Sequence, residues 1–335
     1  MNKKFICFAF SIAIALFLGY SYFVLNYKML YLSPEYPIWM HVKNVINSKT
    51  DDDIKLLVIG DSRAKAGFIP NENKGIKSFN LSLGGGTPVE GYFTLLKYLK
   101  RNKLPEKIVI SYTAGHLSGG NLYWPKTVPF EFLADNEYQE IERLALQLNE
   151  LPITASNQEF GDYKFPNKYR SQFRNGISER RWSKNKKILE ECELSKGHHF
   201  FGTSSGSNRL NRLNRLNRLN RLNRLNYEAT SSKTEFNESK LQGYYLNKLL
   251  ELARTNNIEL YFYIMPFNQS SFEKANKPYL KSYTNYILNL SVKYKMTLCN
   301  VPFFMKNEYF GDPSHLFKGA KKSTLKINNC VMRTH

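Results

Sequence analysis

The amino-acid sequence predicts an α/β fold, a three-layer α/β/α arrangement around a mainly parallel sheet, preceded by one transmembrane helix. Three observations carry this. Apolar runs at residues 55–59, 107–112 and 258–265 alternate with amphipathic stretches of helical period, the pattern of strands covered on both faces. Residues 5–25 hold no charged side chain and are rich in Ile, Leu, Phe and Ala, enough to cross a bilayer as a helix. The first strand breaks into Gly60-Asp61-Ser62, which sets a serine hydroxyl at the carboxyl end of a buried strand, where sites in open α/β sheets lie.

Taken in order, the amino-terminal run continues through bulky Tyr20, Tyr22, Phe23 and Val24 without a small-x-small exit, so residues 1–27 read as an uncleaved anchor rather than a signal peptide. Lys3 and Lys4 place its amino end in the cytoplasm and the rest of the chain outside, a single-pass protein of the cytoplasmic membrane. After the strand at 55–59, a second is expected around 79–83. Thr87 as N-cap, Pro88 in the first turn and Glu90 completing a capping box start a helix over 88–101, with Phe93, Leu96 and Leu99 facing inward.

Residues 28–335 form one domain in this reading, with 116–238 as a long insertion, a lid or a partner surface, because that stretch breaks the strand–helix alternation. Within it the triplet Asn-Arg-Leu occurs six times without a break over 208–225. A period of three does not keep leucines on one helical face, so the repeat reads as an irregular, low-complexity surface insertion. On the carboxyl side, Leu241, Tyr245, Leu249 and Leu252 mark a helix over 239–254, followed by the strand at 258–265. A helix over 279–294, a short strand at 296–300 and a last helix from residue 318 onward complete the pattern.

Net charge is +20, and +18 once Lys3 and Lys4 are set aside, which calls for an anionic partner. An external domain on a membrane anchor excludes nucleic acid and favours anionic lipid headgroups or an acidic envelope polymer. Cys7 lies inside the apolar run, and Cys192, Cys299 and Cys330 are scattered without metal-ligand spacing, so no metal site is expected. The three outer cysteines allow at most one intramolecular disulfide, and free buried thiols are the expected state.

The chemistry resides in Ser62 and in Asp312-Pro313-Ser314-His315. A serine hydroxyl is a weak nucleophile near neutral pH; it needs an imidazole to take its proton and a carboxylate to fix that imidazole's tautomer. One loop carrying Asp312 and His315 supplies both. Each motif alone also suits plainer work, Asp312-Pro313 as a helix start and Gly60-Asp61 as a turn. Their order, one after the first strand and the other near the carboxyl terminus, favours a shared site for acyl transfer.

These residues, with the block Asn80-Leu81-Ser82-Leu83-Gly84-Gly85-Gly86, resemble the SGNH/GDSL hydrolase superfamily over residues 54–115 and 235–325. The chain is most similar to its membrane-anchored extracytoplasmic branch, which includes the alginate acetylation and DltD-like proteins. The resemblance implies an SGNH-like three-layer fold, Ser62 as nucleophile, Asp312 and His315 as its partners, and an oxyanion hole from the N–H groups of Gly85 and Ser62. The family's third block offers a Gly-x-Asn, but here Thr113-Ala114-Gly115-His116 stands in its place. Either Asn268 or His116 takes over as donor, or activity is weak.

The function implied is a serine-dependent O-acyltransferase or esterase acting on cell-envelope carbohydrate, without a cofactor. Its partners are an anionic polysaccharide and, in some arrangements, a membrane-bound acyltransferase. The alternative is a non-catalytic anchored scaffold that keeps the fold and supports such an acylation system.

Overall fold

The computed structural model describes residues 3–49, 53–119, 124–150, 166–201, 225–226 and 233–333. Apart from Leu225, the Asn-Arg-Leu repeat lies outside the described residues. Helix α1 (Lys3–Asn26) is long and apolar enough to cross a membrane. Its apolar side chains stand in the open, Phe8 at 66% and Leu16 at 69% exposure, which a core helix of a globular domain does not show. Among the described residues its carboxyl-terminal end touches the domain: Val24 is buried, and Tyr31 Oη donates to the Val24 carbonyl at 2.7 Å.

Helix α2 (Tyr36–Asn47) was not legible in the sequence. Pro37 starts it, and Trp39, Val42 and Ile46 give it a buried stripe. There follow β1 (Leu56–Gly60), α3 (Ser62–Gly67), β2 (Ser78–Asn80), α4 (Pro88–Arg101), β3 (Lys107–Ser111) and α5 (Ala114–Ser118). The α4 start is as expected: the Glu90 carboxylate accepts from the Thr87 N–H and hydroxyl, both at 2.7 Å. Its buried stripe is Val89, Phe93 and Tyr98, with Leu96 and Leu99 half-buried at its edge. Strand β2 stops at Asn80, short of the expected residue 83, because the Asn80 side chain turns away to bond loop backbone; pairing with β1 continues irregularly through Leu81 N to Val58 O.

In the region expected to be an insertion lie α6 (Trp124–Thr127), α7 (Asp135–Gln147), α8 (Arg170–Ser178) and α9 (Arg181–Leu194). Helix α9 packs against α2, and α8 reaches the carboxyl-terminal end of α1, so its described parts pack on the rest of the fold. The carboxyl half holds α10 (Lys240–Thr255), β4 (Glu259–Phe262), β5 (Phe267–Asn268), α11 (Gln269–Lys274), α12 (Lys277–Tyr294), β6 (Thr297–Leu298), β7 (Phe304–Met305) and α13 (Ala320–Met332).

Five strands pair in the order β2-β1-β3-β4-β6, all parallel. In the register, Leu57 lies beside Phe79 on one side and Ile108 on the other, and Val109 beside Tyr261. Side chains alternate between two cores. Leu57, Ile59, Ile108, Ile110 and Phe262 join the larger one with residues of α2, α4, α10 and α12. Leu56, Val58, Val109 and Tyr261 join the smaller one with Ala64, Phe68, Ile327 and Val331. Both faces of the sheet are therefore buried, which is why its strands read as continuous apolar runs.

The strand order reverses direction between β1 and β3, and crevices at such a switch point, beyond the carboxyl ends of the strands, hold ligands. Ser62 follows β1 at that point. Cys299 and Cys330 form a disulfide, against the expectation of free thiols, and it ties the end of α13 to the loop after β6. Cys192 remains a free, buried thiol. A cross-link closing a loop of this length stabilises by about 3–4 kcal/mol in the chain-entropy model. Replacing both cysteines by serine is expected to lower the unfolding free energy by about that amount in a urea titration, and to remove the response of the midpoint to added reductant that wild type and Cys192→Ser share.

Candidate active site

The site begins with a close approach of two backbones. A Cβ on Gly60 would stand 2.0 Å from the Ser111 carbonyl oxygen, so only glycine lets β1 end against β3. Asp61 then caps α3: its Oδ1 accepts from Arg63 N at 2.9 Å, and its Oδ2 accepts from Thr113 N at 2.9 Å. One buried carboxylate thus ties the turn after β1 to the turn after β3. Asn80 closes the other end of α3, donating from Nδ2 to the carbonyls of Ala64 at 3.0 Å and Phe68 at 2.9 Å. Ser62 is held at the first position of a short helix fixed at both ends.

The distant loop delivers the other two groups. Ser62 Oγ lies 2.8 Å from His315 Nε2, across 253 positions of sequence. His315 Nδ1 lies 2.7 Å from Asp312 Oδ2 and 2.9 Å from Oδ1. Because a carboxylate only accepts, Nδ1 carries the ring proton and Nε2 is free to take one from the serine. Asp312 Oδ1 also accepts from the backbone of Ser314 at 2.8 Å and of His315 at 2.9 Å. Burial by itself would raise the Asp312 carboxyl, but the hydrogen bond and charge of His315 and the two backbone N–H groups outweigh it and hold the carboxyl below its ordinary value. Asp312 stays ionised wherever His315 works as a base.

Gly85 lies across the crevice in a left-handed turn, φ +71°. The Gly84 carbonyl before it accepts from Trp39 Nε1 at 3.1 Å and from Lys126 Nζ at 3.2 Å. In a trans peptide the oxygen and the following N–H point opposite ways, so these two donors aim the Gly85 N–H away from themselves. Among the described residues that N–H has no acceptor, nor has the N–H of Ser62. Lys126 is placed by Glu35, with which it forms an ion pair, and by Thr127, whose hydroxyl donates to the buried Glu90. Trp39, Lys126 and Glu35 had no signal in the sequence, since their role depends on where α2 and α6 come to rest.

Asn268 has a different task from the one expected of it. It is fully buried, its Oδ1 accepts from Ser271 N at 2.7 Å as the cap of α11, and its Nδ2 donates to the Pro313 carbonyl at 2.5 Å. One of its two amide hydrogens and its oxygen are spent on the loop behind Asp312 and the start of α11, as is common for an asparagine before a helix, so it positions that loop. His116 does border the crevice. Its Nδ1 lies 2.8 Å from the Gly86 carbonyl and 3.6 Å from Asp61 Oδ2, so that side of the ring is turned to its own surroundings. The N–H groups of Ser62 and Gly85 are, among the described residues, without acceptors.

The segment after α9 covers the histidine. The Phe201 ring lies 4.6 Å from that of His315, tilted by 35°, and shields one face of the imidazole. Behind it, His41 and His198 are buried beside Lys65, itself wholly enclosed and bonded to the Asn80 carbonyl at 3.3 Å. Burial, reinforced by the neighbouring Lys65 charge, pushes both His41 and His198 down to about 3, and burial pushes Lys65 down to about 8. His198 is part of the support under α3, where its Nε2 meets the Ala66 carbonyl at 3.2 Å.

No family model matches this chain, and no curated protein matches it.

Two outcomes are expected. Trp39→Phe keeps the ring and removes one of the donors that orient the Gly84–Gly85 peptide. It should slow acylation of Ser62 by an activated ester more than it changes the melting temperature, whereas Gly85→Ala should abolish acylation. Second, an unfolded chain binds protons at His41 and His198 below the ordinary value of 6.5, and the folded chain does not until about 3. Stability is therefore complete above 6.5 and falls as pH drops through the window below it, by about 1.4 kcal/mol per pH unit for each histidine. Urea titrations from pH 7 to pH 4 should show this slope, and His41→Phe should lower it by about 1.4 kcal/mol per pH unit, the share of one histidine.

Proposed function

We propose that the chain is a membrane-anchored serine O-acyltransferase or esterase of the SGNH/GDSL type, acting on cell-envelope carbohydrate. The observation that carries this reading is the in-line contact of Ser62 Oγ with His315 Nε2 at 2.8 Å and of His315 Nδ1 with Asp312 at 2.7 Å. Ser62 Oγ attacks an acyl carbonyl while His315 Nε2 takes its proton, and Asp312 stabilises the imidazolium that forms. The negative charge on the carbonyl oxygen falls to the N–H groups of Ser62 and Gly85. His315 then returns the proton to the leaving group. A sugar hydroxyl or water, deprotonated by the same nitrogen, releases the acyl group from Ser62.

A sheet buried on both faces, with Ser62 after its first strand, supports the three-layer SGNH-like arrangement. The Cys299–Cys330 disulfide supports an extracytoplasmic domain, since such bonds persist in oxidising compartments. The basic outer surface suits an acidic glycan. The scaffold alternative draws on the missing side-chain donor in the oxyanion hole, a loss of about a hundredfold to a thousandfold in turnover where one donor is removed.

A serine-directed fluorophosphonate decides between them. Wild-type protein should be labelled at one site, Ser62→Ala not at all, and His315→Ala and Asp312→Asn should react slower by about a thousandfold or more. An unlabelled wild type whose Ser62→Ala form still supports envelope acylation would establish the scaffold.

A further inference from the structure

We infer that α8 and the start of α9 form an interfacial collar that binds anionic phospholipid headgroups beside the anchor. With Phe5 at the inner edge of a hydrocarbon core about 30 Å thick, a helical rise puts Tyr20 and Phe23 about 22 and 27 Å across, at the outer edge. Those are the residues that α8 touches: the Phe173 ring lies 5.9 Å from that of Tyr20 and 6.0 Å from that of Phe23, both edge-on. Gly176, one turn on, sits against the backbone of Tyr31. The start of α9 is fastened to the same level, because Asn185 Nδ2 donates to the carbonyls of Met29 at 2.9 Å and Leu32 at 3.1 Å. A helix seated on that part of the anchor has to meet the headgroup layer.

Its composition fits that layer. Residues 168–187 carry eight lysines and arginines against one carboxylate, Glu179, which pairs with Arg181 at 2.8 Å. Lys186 and Lys187 reach Glu190 and Glu191 only at 3.9 Å. Arg170, Arg174 and Ile177 follow the spacing of one helical face, adjacent to the face that Phe173 and Gly176 press on the anchor. All three are exposed, Ile177 at 59%, and Trp182 nearby at 45%. An exposed tryptophan and isoleucine amid arginines are costly in water and favourable where one end is apolar and the other ionic. Tyr22 and Tyr27, also exposed, continue an aromatic belt around the same level.

The inference rests on α1 being inserted in a bilayer, so the test reads the two separately. Full-length protein is reconstituted into vesicles of equal bromine content, either phosphatidylcholine alone or with about a third phosphatidylglycerol; flotation with the vesicles reports the anchor. The emission lost in Trp182→Phe defines the signal of that residue. Its quenching should rise by about twofold or more with phosphatidylglycerol, and the rise should vanish at high salt and in Arg170→Gln/Arg174→Gln/Lys184→Gln/Lys187→Gln. Floating protein whose Trp182 is quenched equally in both vesicles, or whose rise survives loss of the four charges, overturns the collar and leaves the anchor standing. Protein that does not float overturns both. Stronger protection of residues 168–187 from hydrogen exchange by a soluble acidic polysaccharide than by phosphatidylglycerol would overturn the lipid in favour of the polymer.

Discussion

The contact on which the rest depends is the close approach of the ends of β1 and β3. Gly60 without a side chain lets the Ser111 carbonyl in, the Asp61 N–H donates to that carbonyl at 3.2 Å, and the Asp61 carboxylate takes the N–H of Thr113. Asp61 is almost wholly buried and accepts from two backbone donors, so its charge stays hydrogen-bonded without a basic side chain in salt-bridge contact other than the nearby His116 ring at 3.6 Å. The same carboxylate starts α3. A serine one residue later has its φ and ψ set by the helix and its position set by two strands, the kind of preorganisation that a nucleophile requires.

The second half of the constellation is built on the same plan, with a carboxylate that saturates itself locally. Asp312 binds the backbone of its own loop and the His315 ring at once, so loop shape and imidazole orientation are one structural feature. Asn268 fixes the loop from behind through the Pro313 carbonyl, and the bridge between Phe310 and Leu316 closes its base. Each loop thus carries hydrogen bonds of its own besides the contact between Ser62 and His315.

How much of this the sequence disclosed follows from how local each feature is. The capping box of α4, the apolar strands and the Gly60-Asp61-Ser62 and Asp312-to-His315 motifs depend on neighbours a few positions away, and their residue types and spacings are visible in one dimension. Helix α2 and the Trp39 contact to Gly84 went unread: Trp39, Val42 and Ile46 have helical spacing, but the surfaces they meet, on α4, α9 and the glycine turn, lie far along the chain. Asn268 was misjudged for a related reason. An asparagine after a strand is equally fit to donate into a crevice or to cap the next helix, and the choice is made by α11 starting at the next residue. The cysteines paired because α13 returns under the sheet, a long-range event that spacing does not encode.

The region read as a long insertion in part links the end of α1 to the candidate site. Helix α9 leaves the juxtamembrane segment, where Asn185 is bonded to Met29 and Leu32, and runs to residues 195–201. There the Lys196 carbonyl accepts from Asn80 N at 3.0 Å, extending the sheet edge beside β2, and the His199 N–H points to the Lys65 carbonyl on α3. Phe201 ends the path over the catalytic imidazole, with Gly84 on its other side. Because packed helices transmit displacement more readily than they absorb it, the cover on His315 is set by where α9 sits, and α9 is set by the anchor. One run of chain, from the end of α1 through α9 to Phe201, thus connects the apolar helix to the contact between Ser62 and His315.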